Sequence, residues 1–134
     1  MYTAIFFDGA NQKVMRLMGD DRLECEIKRL HIPIQKDPEV VPRELFGTPV
    51  TVEILGYGNN GKNEGLACSM YCEDKNLQDI LDDVKLPTIT ISVSKKENLG
   101  KTPYMKFNRF RVPYTCKGVF GGYDEMKRMC DFGD

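Results

Sequence analysis

The most regular feature of the chain is a two-residue alternation of apolar and polar positions. Val50, Val52 and Ile54 alternate with Thr51 and Glu53, and Ile89, Ile91 and Val93 alternate with Thr88, Thr90, Ser92 and Ser94. Successive side chains of an extended chain point to opposite faces, so each run reads as a strand with one buried face. Residues 66–72 are expected to return beside the first run across a glycine- and asparagine-rich loop, and residues 104–112 beside the second across the loop 95–103. Residues 2–7, closed by the turn-forming pair Asp8-Gly9, read as a further strand. Residues 13–18 fit a short helix ending at Gly19 or a hairpin partner strand, and strand is the expectation adopted. From Leu23 to Ile34 the apolar positions switch parity between Ile27 and Leu30. That predicts one strand with a bulge near Arg29, closed by Pro33.

A different period marks the helix. Leu77, Ile80, Leu81 and Val84 recur at i, i+3, i+4 and i+7, which predicts an amphipathic helix over 76–85 with Asn76 as its cap and Asp79 three positions later. Pro87 limits its length. Pro42 and Gly47 bracket a single helical turn at most. Residues 123–130 read as a short C-terminal helix, with Asp124 and Glu125 in its first turn, Lys127 and Arg128 in its last, and Met126 and Met129 packed inward. The elements add up to an α+β fold: a mostly antiparallel sheet or small barrel of six to eight strands carrying helices on one face. No change of composition marks a second unit, so residues 1–134 are read as one domain.

Composition narrows the class. A chain of 134 residues with 41% hydrophobic and 29% charged positions is long enough to bury roughly 65–70% of its unfolded surface without covalent staples. The formal charge of −1 supplies no field that draws the whole molecule to nucleic acid or to an anionic membrane, so binding of that kind requires a local patch. No basic region precedes the short apolar stretch at Ala4-Ile5-Phe6-Phe7, and no apolar run approaches the ~20 residues of a membrane span. Five cysteines, an odd number, suit reduced thiols, and a cytoplasmic location without membrane association is the expectation.

Most candidate chemistry dissolves on inspection. His31 is the single histidine, and although Cys25 shares its parity, six residues of extended chain hold the two about 20 Å apart. No serine lies in a nucleophile-elbow pattern. Cys68 and Cys72 would stand ~13 Å apart on a strand, too far for two thiolates on one zinc. Gly56-Tyr57-Gly58-Asn59-Asn60-Gly61 has the spacing of a phosphate loop, but another strand, not a helix, is expected behind it. Asp131-Phe132-Gly133 has none of the companions of the kinase metal-binding tripeptide. No catalytic residue, metal ligand or cofactor is assigned. Glu73, Asp74, Asp79, Asp82 and Asp83 against Lys75 form an acidic stretch that reads as the solvated face of a helix or as a docking surface.

One stretch stands apart. Between Lys95 and Arg111, six basic residues face one acidic residue and are interleaved with Tyr104, Phe107 and Phe110, the combination that anionic, base-bearing ligands require. Strand alternation would divide Tyr104, Lys106, Asn108 and Phe110 from Met105, Phe107, Arg109 and Arg111, and an edge strand guarded by charge would carry the same residues. The expected function is a non-catalytic binding protein that holds a nucleotide or nucleic-acid backbone through Lys101, Tyr104, Lys106, Phe107, Arg109 and Arg111, with Lys62 from the glycine-rich loop. The alternative is an inhibitor or adaptor of phage or mobile-element origin that meets a protein partner through the acidic helix or the proline-marked loop 35–49.

Overall fold

The computed structural model describes residues 1–19, 21–95 and 99–123. The alternating runs become the middle of an antiparallel sheet as β4 (Pro49–Asn59), β5 (Asn63–Tyr71) and β6 (Thr88–Val93). On one side it is extended by β7 (Asn108–Tyr123), β1 (Tyr2–Phe6) and β3 (His31–Lys36), and on the other by the two-residue β2 (Cys25–Glu26). The order is β2-β6-β5-β4-β7-β1-β3, seven strands among the described residues. The fold is therefore α+β with a sheet that does not close into a barrel. β3 at one edge nevertheless touches β6 near the other, so the twisted sheet curls around its apolar face. Ile5, Ile32, Val50, Val52, Ile54, Leu66, Ile89, Ile91 and Phe120 fill the inside of that curl.

Among the described residues, two α-helices seal it. α1 (Gly9–Leu17) starts where the Asp8 carboxylate accepts a hydrogen bond from the Asn11 backbone N–H at 2.8 Å, satisfying one of the free amides of the first turn. Residues 13–18, expected as a strand, therefore lie mostly in a helix. The determinant is polar: Gln12 donates to the Phe7 carbonyl and accepts from the Leu30 N–H, tying the helix to chain on both sides while Met15 is buried in the core. α2 (Lys75–Asp82) is the helix read from its period, but its cap is Asp74, which accepts from the Leu77 N–H at 3.0 Å. Asn76 lies inside the helix. Leu77 and Leu81 are buried, Ile80 half-buried, and Val84 half-buried beyond the last turn. Leu81→Ala should lower stability by about 2–4 kcal/mol through lost burial and a residual cavity, whereas Asp82→Ala, at an exposed position, should change the urea midpoint far less. Equal shifts would mean that the buried face is assigned wrongly.

Three further expectations are corrected. The parity switch between Ile27 and Leu30 is not a bulge: β2 and β3 are separate strands at opposite edges of the sheet. Between them the chain crosses over the core, with Ile27 and Leu30 fully buried. Its carbonyls at Ile27 and Lys28 both accept from the Arg16 guanidinium at 2.7 Å. Pro33 does not end a strand but lies within β3, opposite Ala4 at an irregularity in the ladder, where an edge strand tolerates a missing donor. The second expected hairpin does not form. β6 pairs with β5 and β2, while β7 pairs with β4 and β1, so the two do not turn back on each other, and residues 99–107 cross the sheet to reach β7. The helix expected over 123–130 and Cys130 lie outside the described residues, apart from Tyr123, which ends β7.

Candidate functional site

The crossing segment brings the basic residues together. It opens with a turn of 3-10 helix (Leu99–Tyr104) that carries Thr102, a fully buried hydroxyl. Thr102 accepts a hydrogen bond from the Asn63 amide at 3.1 Å and shares a 2.7 Å hydrogen bond with Thr90. Beneath it, three glycines let the backbones approach. A Cβ on Gly65 would stand 2.6 Å from the Thr102 methyl, one on Gly58 2.6 Å from the Lys106 carbonyl oxygen, and one on Gly56 2.5 Å from that of Asn108. Gly58 and Gly65 are cross-strand partners in the β4–β5 ladder. Leu66 points into the core, so by alternation Gly65 presents the outer face, and residues 99–107 lie across that face.

The phosphate-loop spacing of Gly56, Gly58 and Gly61 therefore has another cause. The first two sit within β4, not in a loop, where only a hydrogen fits under the crossing chain, and Gly61 takes a positive φ of 82° in the hairpin turn. Lys62 follows in that turn, beside Asn63, while Lys101 precedes Thr102, so the Asn63–Thr102 bond brings the two lysines to one end of the sheet. Lys106 and Phe107 lie over Gly58, with the Phe107 ring 3.0 Å from the position of a Cβ there. The expected division of residues 104–111 onto two strand faces is corrected, since residues 104–107 are not strand and β7 begins at Asn108.

Arg109 borders a large irregularity and Arg111 lies within it. Arg109 pairs with Gly56 and Tyr114 with Ile54, so Phe110, Arg111, Val112 and Pro113 stand opposite Leu55 alone. Bulges bend a strand and re-aim its side chains. Here Phe110 and Tyr114 pack against the core at both ends, and the Tyr114 hydroxyl donates to Asn11 at 2.7 Å. Arg111, Val112 and Pro113 are pushed into solvent between those anchors. β7 gains β1 as a second neighbour only from Val119 onward; before that, its far side has no strand partner among the described residues.

Lys62, Lys101, Tyr104, Lys106, Arg109 and Arg111 are exposed and Phe107 is half-buried. Among the described residues, no carboxylate lies within salt-bridge distance of Lys62, Lys106, Arg109 or Arg111. Sequence reasoning found the cations but missed Val112, and missed Asn63, Thr90 and Thr102, which hold the segment down. Thr90 was visible only as the polar half of an alternation.

A second polar cluster lies at the mouth of the curl. Glu64, with no exposed surface, accepts at Oε2 from the Arg22 guanidinium at 2.8 Å and the Tyr57 hydroxyl at 2.6 Å, and at Oε1 from Ser92 at 2.7 Å. Ser92 in turn accepts from the Leu23 N–H at 2.9 Å. Arg22 also donates to the Arg16 carbonyl and pairs with Glu26. The cluster borders an open depression of about 480 Å³ lined by Asp21, Arg22, Leu23, Tyr57, Asn59 and Gly61. Both carboxylate oxygens are engaged and the serine has no histidine behind it, so the cluster fastens the chain after α1 to the sheet; it is not arranged as a nucleophile and base.

The remaining candidates separate. Cys25 and His31 occupy strands at opposite edges of the sheet. The His31 ring is buried, with Nδ1 2.8 Å from the Arg29 carbonyl, and burial lowers its pKa. Cys25, Cys68, Cys72 and Cys116 are free thiols. Burial raises the pKa of Cys68 far above its usual range and pushes that of Cys116 up to about 11, so both stay protonated at neutral pH. No cluster of histidine, cysteine or carboxylate side chains suited to a metal occurs among the described residues, and no described helix is long and apolar enough to cross a membrane. No protein-family model, curated protein or solved structure matches the chain.

Proposed function

We propose that this chain is a non-catalytic binding protein that holds an anionic backbone along Lys101, Tyr104, Lys106, Phe107, Arg109 and Arg111, with Lys62 at the adjoining hairpin turn. The observation that carries this reading is the Asn63–Thr102 hydrogen bond. It joins the Lys62 turn to the crossing segment, so cations from two distant stretches of chain share one end of the sheet. Holding Lys62, Lys106, Arg109 and Arg111 on a fixed backbone with no carboxylate in salt-bridge distance among the described residues is unfavourable in the free protein, and phosphates relieve it by displacing condensed counterions.

Titration of a fluorescent oligonucleotide at several salt concentrations tests the reading. Arg109→Glu combined with Arg111→Glu should weaken binding by about tenfold or more, and neutralising either arginine should flatten the log–log salt dependence by roughly one unit. Thermal unfolding should hardly move, because both side chains are exposed. Affinity unchanged by the double reversal would overturn the proposal. An inhibitor or adaptor working through the acidic outer face of α2 gives the converse pattern: loss of its protein partner on Asp79→Lys with Asp82→Lys, and indifference to the arginines.

A further inference from the structure

Resting on that reading, we infer that the ligand is a single-stranded nucleic acid whose bases lie against Tyr104 and the Val112 bulge while its phosphates meet the flanking cations. Tyr104 and Val112 are each 80% exposed. Isolated apolar side chains at a surface are ordinary, but these two bracket Lys106, Arg109 and Arg111 along one continuous segment, and each is presented from a fixed base. Tyr104 closes the 3-10 turn that the buried Thr102 pins to Asn63 and Thr90. Val112 projects from a bulge held at both ends by Phe110 and Tyr114.

The base faces of a duplex are stacked on one another, so a duplex offers this surface only its phosphates and groove edges, and the exposed ring and valine gain nothing. An unpaired strand exposes a flat face at each nucleotide, and stacking on an aromatic ring is worth about tenfold or more in affinity per base, with little regard to sequence. The order of cation, ring, cations and valine along residues 101–112 therefore matches a ligand that alternates charge with flat apolar surface. Phe107 contributes less than its residue type suggests, because its ring packs against the strand at Gly58.

Three labelled probes decide the matter: a single-stranded oligothymidylate, a duplex of the same length, and inorganic polyphosphate. The unmodified chain should bind the single strand about tenfold more tightly than the duplex at equal salt. Tyr104→Ala should remove most of that advantage while leaving duplex binding and the salt slope unchanged, and Tyr104→Phe should restore it, since stacking needs the ring and not the hydroxyl. Circular dichroism melting confirms that these exposed substitutions leave the fold intact. Equal affinity for single strand, duplex and polyphosphate, or a Tyr104→Ala variant that binds all three as before, would overturn the inference and leave the anionic-backbone reading standing. Failure of every probe to bind would overturn both.

Discussion

Glu64→Ala is expected to destabilise the protein by about 3–5 kcal/mol, the cost of stripping one partner from a buried ion pair. The side chain has no exposed surface, whereas the Arg22 side chain retains 25% exposure, so the arginine would keep some hydration and the loss would be spread over the whole cluster. Tyr57 and Ser92 would each lose their carboxylate acceptor; Ser92 would still accept from the Leu23 N–H, but its buried O–H would have lost its acceptor, which adds about 1–3 kcal/mol of desolvation cost. Glu64→Gln keeps the shape and one acceptor but not the charge, and should fall between. Urea unfolding of both variants beside the exposed Glu39→Ala provides the measurement. A Glu64→Ala midpoint equal to that of Glu39→Ala would show that the pair contributes nothing to stability. The damage should also be local: the chain at residues 21–24 is held to the sheet by Arg22 and by the Leu23–Ser92 hydrogen bond. Limited proteolysis should therefore cut there at urea concentrations where β4, β5 and β6 remain protected.

How much of this was legible in the sequence follows the range of the interactions involved. The β4–β5 hairpin and α2 are written in local periodicity, and each forms close to where its pattern lies, because alternation and the 3.6-residue repeat reflect one element's burial against a core. Partners far apart in sequence leave no such trace. β6 and β7 are both strands, but pairing depends on which strand reaches which edge, and the crossing segment is held by Thr102, Asn63 and Thr90, small polar residues that in sequence look like any loop or solvent-facing position. The strand reading of residues 13–18 failed for a related reason. Its apolar residues suit either element, and the decision lies with Asp8 as cap and with Gln12 reaching to Phe7 and Leu30. For the binding surface, the cations stood out by composition alone. The glycines beneath them have the spacing of a phosphate loop but read as a hairpin loop, and their close-packing role stayed hidden, because close approach of backbone to a ligand and close approach of backbone to backbone require the same residue.

That last point yields the second large effect. Gly58→Val should destabilise the fold by about 3 kcal/mol, the upper end of the usual range for overpacking. It should also weaken oligonucleotide binding about tenfold although no charge is altered. The new Cβ would lie 2.6 Å from the Lys106 carbonyl oxygen and 3.0 Å from the Phe107 ring. A flexible side-chain tip could rotate away from such a contact, but a backbone carbonyl cannot, and Gly58 itself is held in register against Gly65 on β5 and between its neighbours on β4. The strand is the better-anchored partner, so the crossing segment is the one that lifts. Lys106 and Phe107 then shift away from Arg109, their neighbour on the same segment, and the cations no longer meet a backbone in common. Gly58→Ala should show the same two effects to a smaller degree. Gly9→Ala is the control: nothing lies within 4 Å of a Cβ at that helix-start position, and the change should be neutral or slightly stabilising. Differential scanning fluorimetry and the oligonucleotide titration, run on the same preparations, separate the outcomes. A Gly58→Val protein that melts and binds like the parent would mean that residues 106–107 do not lie over β4, and the cations would then have no common platform. Loss of stability with full retention of affinity would instead place the binding surface on the other residues, without Lys106.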